Sequence, residues 1–202
     1  MLEKLFDKAV KRYFGALAAQ YHLEESSSEV RGIAKFENEN IVLQVSFDSR
    51  RSYEMSVLIY NKKPSSKHSW DSCLNLYSIM KLRAPRGYKY EIQTSNPEFV
   101  DEAIKNLSQY TETYASDLLR GDIAGFQEVA AFQKKQSYEY NLKRDLCYAR
   151  TRLQKTWKDK NYTNIVKILT SIENHLMPSE RKKLEYAKKM ISQTYASGSV
   201  IK

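Results

Sequence analysis

The chain has 202 residues, a net charge of +9, and 28% charged against 42% hydrophobic side chains, a balance of globular rather than disordered or fibrous proteins. No run approaches the ~20 apolar residues of a membrane span, and six glycines with four prolines leave no room for long glycine-rich phosphate loops. Cys73 and Cys147 lie far apart and read as reduced thiols of a cytoplasmic protein, not as a disulfide framework.

Residues 2–21 read as an amphipathic helix. Leu2, Leu5, Phe6, Ala9, Val10, Tyr13, Phe14 and Leu17 recur at three- and four-residue steps, with Lys4, Lys8, Lys11 and Arg12 elsewhere. Charges throughout this stretch argue against a secretory signal. Residues 24–29 read as a polar connector.

Residues 30–61 carry clean two-residue alternation and predict three antiparallel strands joined by tight turns. Ile41, Leu43, Val45 and Phe47 share one face of the middle run, and Tyr53, Met55, Val57 and Ile59 share one face of the third. In the first run Val30, Ala34 and Phe36 alternate with Arg31, Ile33 and Lys35. Residues 37–40 offer asparagine for left-handed turn positions, and Asp48 is an Asx-type start for the turn over residues 48–51. Such a sheet needs helices against its apolar face.

Asn61 to His68 is a loop by composition. Ser69 can cap a helix from Trp70 to about Leu82, with Trp70, Leu74, Tyr77 and Met80 on its apolar side, ended by Ala84-Pro85. Tyr88 to Thr94 reads as a short fourth strand or an extended linker, the strand being favoured. Asn96 and Pro97 then open a helix. Gly121 fits a left-handed terminating position, and Asp122 can cap a long helix running to about Lys160. Its apolar trace is Phe126, Val129, Ala130, Phe132, Tyr138, Leu142, Leu146, Ala149 and Leu153, with a candidate break near residues 135–138. Asn161-Tyr162 opens an αα-hairpin broken at Pro178. The spacing of Trp157, Tyr162, Leu169, Pro178 and Tyr186-Ala187 resembles a single tetratricopeptide-type unit. One such unit cannot bury its own core, so it is expected to stack on the preceding helix.

The fold class is therefore α+β. A three- to four-stranded antiparallel meander packs on N-terminal helices, followed by a C-terminal helical layer with a tetratricopeptide-like hairpin. The division is a sheet domain over 1–121 and a helical region over 122–196, or one domain over 1–196, with a frayed tail at 197–202.

The positive charge is uneven. Residues 132–202 hold sixteen Lys/Arg against six Asp/Glu, a balance of +10, so residues 1–131 sum to −1. Lys134, Lys135, Lys143, Arg144, Arg150, Arg152, Lys155 and Lys158 form a candidate basic surface for an acidic protein or a nucleic acid. The competing reading is a solvated helical face. Fifteen tyrosines, several beside these cations, suit protein interfaces or stacking on unpaired bases as well as simple partial burial.

Candidate chemistry is sparse. His22, His68 and His175 form no metal-ligand spacing with Cys, Asp or Glu, and no nucleophile elbow, P-loop or dinucleotide fingerprint occurs. No metal, cofactor or catalytic residue is expected. Cys73, inside the expected helix from Trp70, reads as a packing residue. Asp48, Arg50, Arg51 and Glu54 form a candidate binding loop, with the two acids facing one another across the hairpin and an arginine between. A local ion pair in a turn is the alternative.

The stretch V-R-G-I-A-K-F-E-N-E-N-I-V-L-Q-V-S-F-D-S-R-R-S-Y-E-M-S-V-L-I resembles a pattern in small uncharacterised bacterial proteins, in which a helix precedes a V-R-Y … V-x-V-x-Y-D-x-R-S-x-E-V-x-V meander. The closing N-Y-T-N-I-V-K-I-L and S-E-R-K-K-L-E-Y-A-K-K look like their helical end. Phe36 stands where the pattern has tyrosine. Such proteins are similar in plan to immunity proteins of bacterial toxin systems. The resemblance implies a bacterial or phage origin and a binding role, read as a non-enzymatic protein-interaction role; the charge of the basic helices gives nucleic-acid binding as the alternative. The resemblance carries no catalytic residues and implies no oligomeric state.

Overall fold

In a computed structural model the described residues are 2–28, 30–64, 70–85 and 93–198. Six α-helices and five strands are present among them: α1 (Leu2–Gln20), β1 (Glu24–Ser26), β2 (Ile33–Glu37), β3 (Ile41–Phe47), β4 (Met55–Asn61), β5 (Cys73–Asn75), α2 (Leu76–Arg83), α3 (Pro97–Leu119), α4 (Ile123–Lys158), α5 (Tyr162–Ser171) and α6 (Pro178–Gly198). The chain forms two compact units, Met1–Lys135 and Gln136–Lys202. The expected boundary after Gly121 marks the α3–α4 junction, whereas the units divide inside α4.

The first unit is α+β. Its strands form an antiparallel meander in the order β1-β2-β3-β4-β5. The alternation of the middle run is realised: Ile41, Leu43, Val45 and Phe47 are buried, as are Met55, Val57 and Ile59 across the β3–β4 ladder. Helices α1, α2 and α3 pack on the sheet through this apolar set, and Phe6, Ala9, Val10, Phe14, Leu17 and Ala18 are the buried stripe of α1. Phe6 meets Phe47 with ring centroids 5.6 Å apart.

Two strands beyond the expected meander complete the sheet. The polar connector over residues 24–29 contains β1, with Glu24 opposite Glu37 and Ser26 opposite Lys35. It has no apolar period, so pairing and not burial makes it a strand. The expected helix from Trp70 is a 3₁₀ turn over Trp70–Ser72, then β5, then α2. Asn75 interrupts the helix by capping it: its side chain accepts the Ser78 N–H at 2.7 Å. Leu74 and Met80 are buried as expected, but Trp70 and Tyr77 are exposed. Cys73 therefore lies on an edge strand opposite Tyr60, not within a helix. The Ser69 cap lies outside the described residues, as do residues 88–92 of the fourth-strand reading. The described end of that stretch bridges antiparallel, Gln93 opposite Glu54, with Thr94 N–H donating to Tyr53 C=O at 3.1 Å.

Caps follow the sequence elsewhere. Asn96 accepts from Glu98 N–H at 3.1 Å with Pro97 at the first helical position, and Asp122 accepts from Gly125 N–H at 3.1 Å. Gly121 has φ +79°, the left-handed position that ends α3. The left-handed residue after α1 is His22 (φ 56°), and Leu23 N–H closes back on Ala18 C=O at 2.8 Å. The Glu37–Asn40 connector uses no left-handed asparagine. Asn38 instead accepts the N–H groups of Asn40 and Ile41 at 2.9 and 3.1 Å.

The second unit is helical. The latter part of α4 lays Leu153, with Leu146, Ala149 and Trp157 partly buried, against Ile165, Ile168, Leu169, Leu184 and Ala187 of α5 and α6. No break occurs near residues 135–138, but Tyr138 leaves the apolar trace and is exposed. The tetratricopeptide likeness is not sustained. Trp157 and Tyr162 fall in different helices, so the spacing spans three helices where such a repeat has two. Residues 199–202 of the expected frayed tail lie outside the described residues.

Candidate functional site

Asp48 is committed to its own turn. Its Oδ1 accepts the Arg50 and Arg51 N–H groups at 3.3 and 3.1 Å, and its Oδ2 accepts the Ser52 N–H and hydroxyl at 3.3 and 3.1 Å. The Ser52 N–H, with the other donors of the turn, holds this carboxyl below the usual range. Asp48 and Glu54 stand opposite one another across the hairpin, but no ion pair among the described residues places an arginine between them. Their link is backbone, Asp48 N–H to Glu54 C=O at 2.9 Å. Arg50 turns to Glu3 of α1 at 3.7 Å, and Ser49 hydroxyl donates to the same carboxylate at 3.0 Å. Arg51 is exposed and holds the turn through its N–H. An open groove of about 790 Å³ runs beside the turn, lined by Glu3, Arg31, Ser46, Arg50, Glu54 and Ser56 among others. Its lining mixes the acids Glu3, Asp48 and Glu54 with Arg31 and Arg50.

The basic candidates separate by unit. Lys134 and Lys135 are exposed and close the first unit, and the other six belong to the second. Residues 136–202 hold fourteen Lys/Arg and six Asp/Glu, a net +8 that leaves +1 for residues 1–135. Along α4 the helical period places Tyr140, Arg144, Tyr148, Lys155 and Lys158 on one face, opposite Leu142, Leu146, Ala149 and Leu153. Tyr140 and Tyr148 are 69% and 65% exposed, so this face presents rings between cations. Lys143 and Arg152, both exposed, flank it. Arg144 has a partner in Asp145 at 3.2 Å, an exposed neighbour pair that leaves its charge accessible.

Arg150 does not belong to that surface. Its Nε donates to Glu180 Oε1 at 2.8 Å and its Nη2 to His175 C=O at 3.3 Å, which ties α4 to the start of α6. A sequence count of cations cannot separate such a residue from its solvated neighbours, because the partner lies 30 positions away.

One grouping was legible only as repeat spacing. Trp157, Tyr162 and Tyr186 meet at one corner of the helical unit. Tyr186 stands 5.9 Å from each of the other two ring centroids, edge-on to Tyr162. Lys183 lies over the Trp157 ring at 5.2 Å. Burial and the Tyr186 hydroxyl both push the Tyr162 phenol up.

Cys147 is exposed on α4, and Cys73 is half-buried, its thiol pushed up by burial despite the Tyr60 hydrogen bond that lowers it. Among the described residues no three His, Cys, Asp or Glu side chains gather as a metal site, and no helix is long and apolar enough to cross a membrane. No protein-family model matches the chain, nor does any curated protein or solved structure.

Proposed function

We propose that the chain is a non-enzymatic protein-interaction module, similar in plan to the immunity proteins of bacterial toxin systems, acting in the cytoplasm of a bacterium or phage host. It presents its helical unit to an acidic partner protein. The observation that carries this reading is the charge partition: +8 on residues 136–202, with exposed tyrosines on the cationic face of α4. Tyrosine supplies amphipathic contact area and the cations supply steering. A blocker of a basic nuclease would itself be acidic, so the cationic helical unit suits an acidic partner instead of such a nuclease. The test is affinity capture from source cells with the unaltered chain and with Lys143→Glu/Arg144→Glu/Lys155→Glu. A stoichiometric protein lost in the charge-reversed chain supports the reading; no partner, with turnover of a substrate instead, overturns it.

A second reading takes the same surface as a nucleic-acid interface, favoured by Tyr140 and Tyr148 alternating with Arg144 and Lys155. Anisotropy of labelled single- and double-stranded DNA and RNA at two salt concentrations separates the readings. Phosphate binding falls steeply with salt, and absence of binding at low salt removes this alternative.

A further inference from the structure

We infer that the Trp157–Tyr162–Tyr186 corner is the anchor point for an acidic peptide segment carrying an apolar side chain. This rests on the interaction reading above and names where its partner is gripped. Trp157 and Tyr162 are partly buried on the core of the helical unit and form an apolar floor, while Tyr186 is 47% exposed at its rim. Lys183 lies over this floor, and further cations adjoin it along the chain. Lys158 and Lys160 come from the end of α4 and the turn after it, where Lys160 sits at φ 52°. Lys182, Lys183 and Lys189 flank Tyr186 at helical spacings of minus four, minus three and plus three on α6. Lys158, Lys160, Lys182 and Lys189 are exposed and lie in no ion pair among the described residues. The nearby acids in sequence are Asp159 and Glu185, so the corner is cationic on balance.

The ring arrangement favours a peptide over a nucleic acid. A base needs an open aromatic face on which to stack. Here Lys183 covers a face of Trp157, and the tyrosines meet edge to face. What remains is an aromatic rim beside the Lys183 ammonium, with four further lysines adjoining it along the chain. That combination suits carboxylates with an apolar residue among them: the apolar group joins the rings and the carboxylates meet the lysines.

The chain has two tryptophans, so Trp70→Phe leaves Trp157 as the sole reporter of this corner. The probe is a short synthetic peptide of glutamates around one phenylalanine, titrated against that variant. The expected result is a saturable change in Trp157 emission, and affinity weakened about tenfold or more in Tyr186→Ser. The exposed pair Lys182→Gln/Lys189→Gln, which leaves the core untouched, weakens it as well. Peptide binding that leaves Trp157 emission unchanged and is lost only in Lys143→Glu/Arg144→Glu overturns the anchor but keeps the basic-unit reading. Binding of the peptide to no variant overturns both. An emission change with oligothymidylate and none with the peptide overturns the peptide as occupant.

Discussion

Arg150 Nε donates to Glu180 Oε1 at 2.8 Å, while the other oxygen of that carboxylate accepts the Met177 N–H at 2.8 Å. The Glu180 side chain is only 8% exposed. Removing Arg150 leaves that carboxylate with the Met177 N–H and without its charge-assisted partner, a loss of about 1.5–3 kcal/mol. Arg150→Met is therefore expected to destabilise the helical unit by about that amount, read as a lower urea midpoint by Trp157 emission in a Trp70→Phe background.

The same pair sets an acid limit. The Arg150 hydrogen bond, with the Met177 N–H and the Arg150 charge, holds the Glu180 carboxyl below its ordinary 4.5 despite burial. A depressed folded value means stability that is present above the unfolded value and lost as pH falls through the folded one. Thermal melts from pH 7 downward should show the helical unit weakening below about pH 4.5, and Glu180→Gln should flatten that limb while lowering Tm at pH 7.

Gly125 gives α4 its approach to α3. A Cβ there would lie 2.3 Å from Asp117 Oδ2 and 3.1 Å from Leu118 Cδ2. The carboxylate cannot swing away cheaply. Arg83 grips it at 2.7 and 2.8 Å and also donates to Glu128 at 2.9 Å and to the Tyr114 carbonyl at 2.7 Å, beside the non-helical Ala115. Gly125→Ala gains up to ~1 kcal/mol of helix preference but meets a clash of about 1–3 kcal/mol. Net destabilisation is expected. A double-mutant cycle should show the cost shrinking in an Asp117→Ala background.

The core of the helical unit is small: eight hydrophobic side chains are buried there among the described residues. Ile165→Ala, at 0% exposure, should cost about 2–5 kcal/mol and unfold this unit with little effect on the sheet. Amide exchange should show α5 and α6 opening while β3 and β4 stay protected.

Thiol reactivity should separate the two cysteines. Cys147 is exposed, whereas Cys73 is half-buried with its thiol pushed up by desolvation and bonded to the Tyr60 hydroxyl. A maleimide reagent at neutral pH should react in a fast and a slow phase, because thiolate character and access govern rate. Cys147→Ser should abolish the fast phase alone.

What could be read from the sequence depended on how local its cause was. The β2–β3–β4 meander was legible because alternation reports burial directly, and Asp48 was legible because an Asx turn needs only the next four residues. β1 was not, since Glu24 and Glu25 are exposed and owe their strand to Glu37 and Phe36 across the ladder. β5 was hidden because Trp70, Leu74 and Tyr77 fit a helical stripe; the missed signal was Asn75, a cap residue three positions before Ser78. Within the candidate surface, Lys155 and Lys158 behave as charge counting predicts, but Arg150 is claimed by a distant carboxylate. Nothing in a lysine announces the left-handed turn at Lys160 that helps separate Trp157 and Tyr162 into different helices.

The margins of the sheet bear on how the chain behaves at high concentration. β1 and β5 are each three residues long, and β1 carries two exposed glutamates. Among the described residues, a foreign strand seeking to extend the ladder from β1 or β5 would find few free amides, and repulsion at β1. Templated polymerisation through the sheet is thereby disfavoured, and β3, the most apolar strand, lies two ladder steps from both borders.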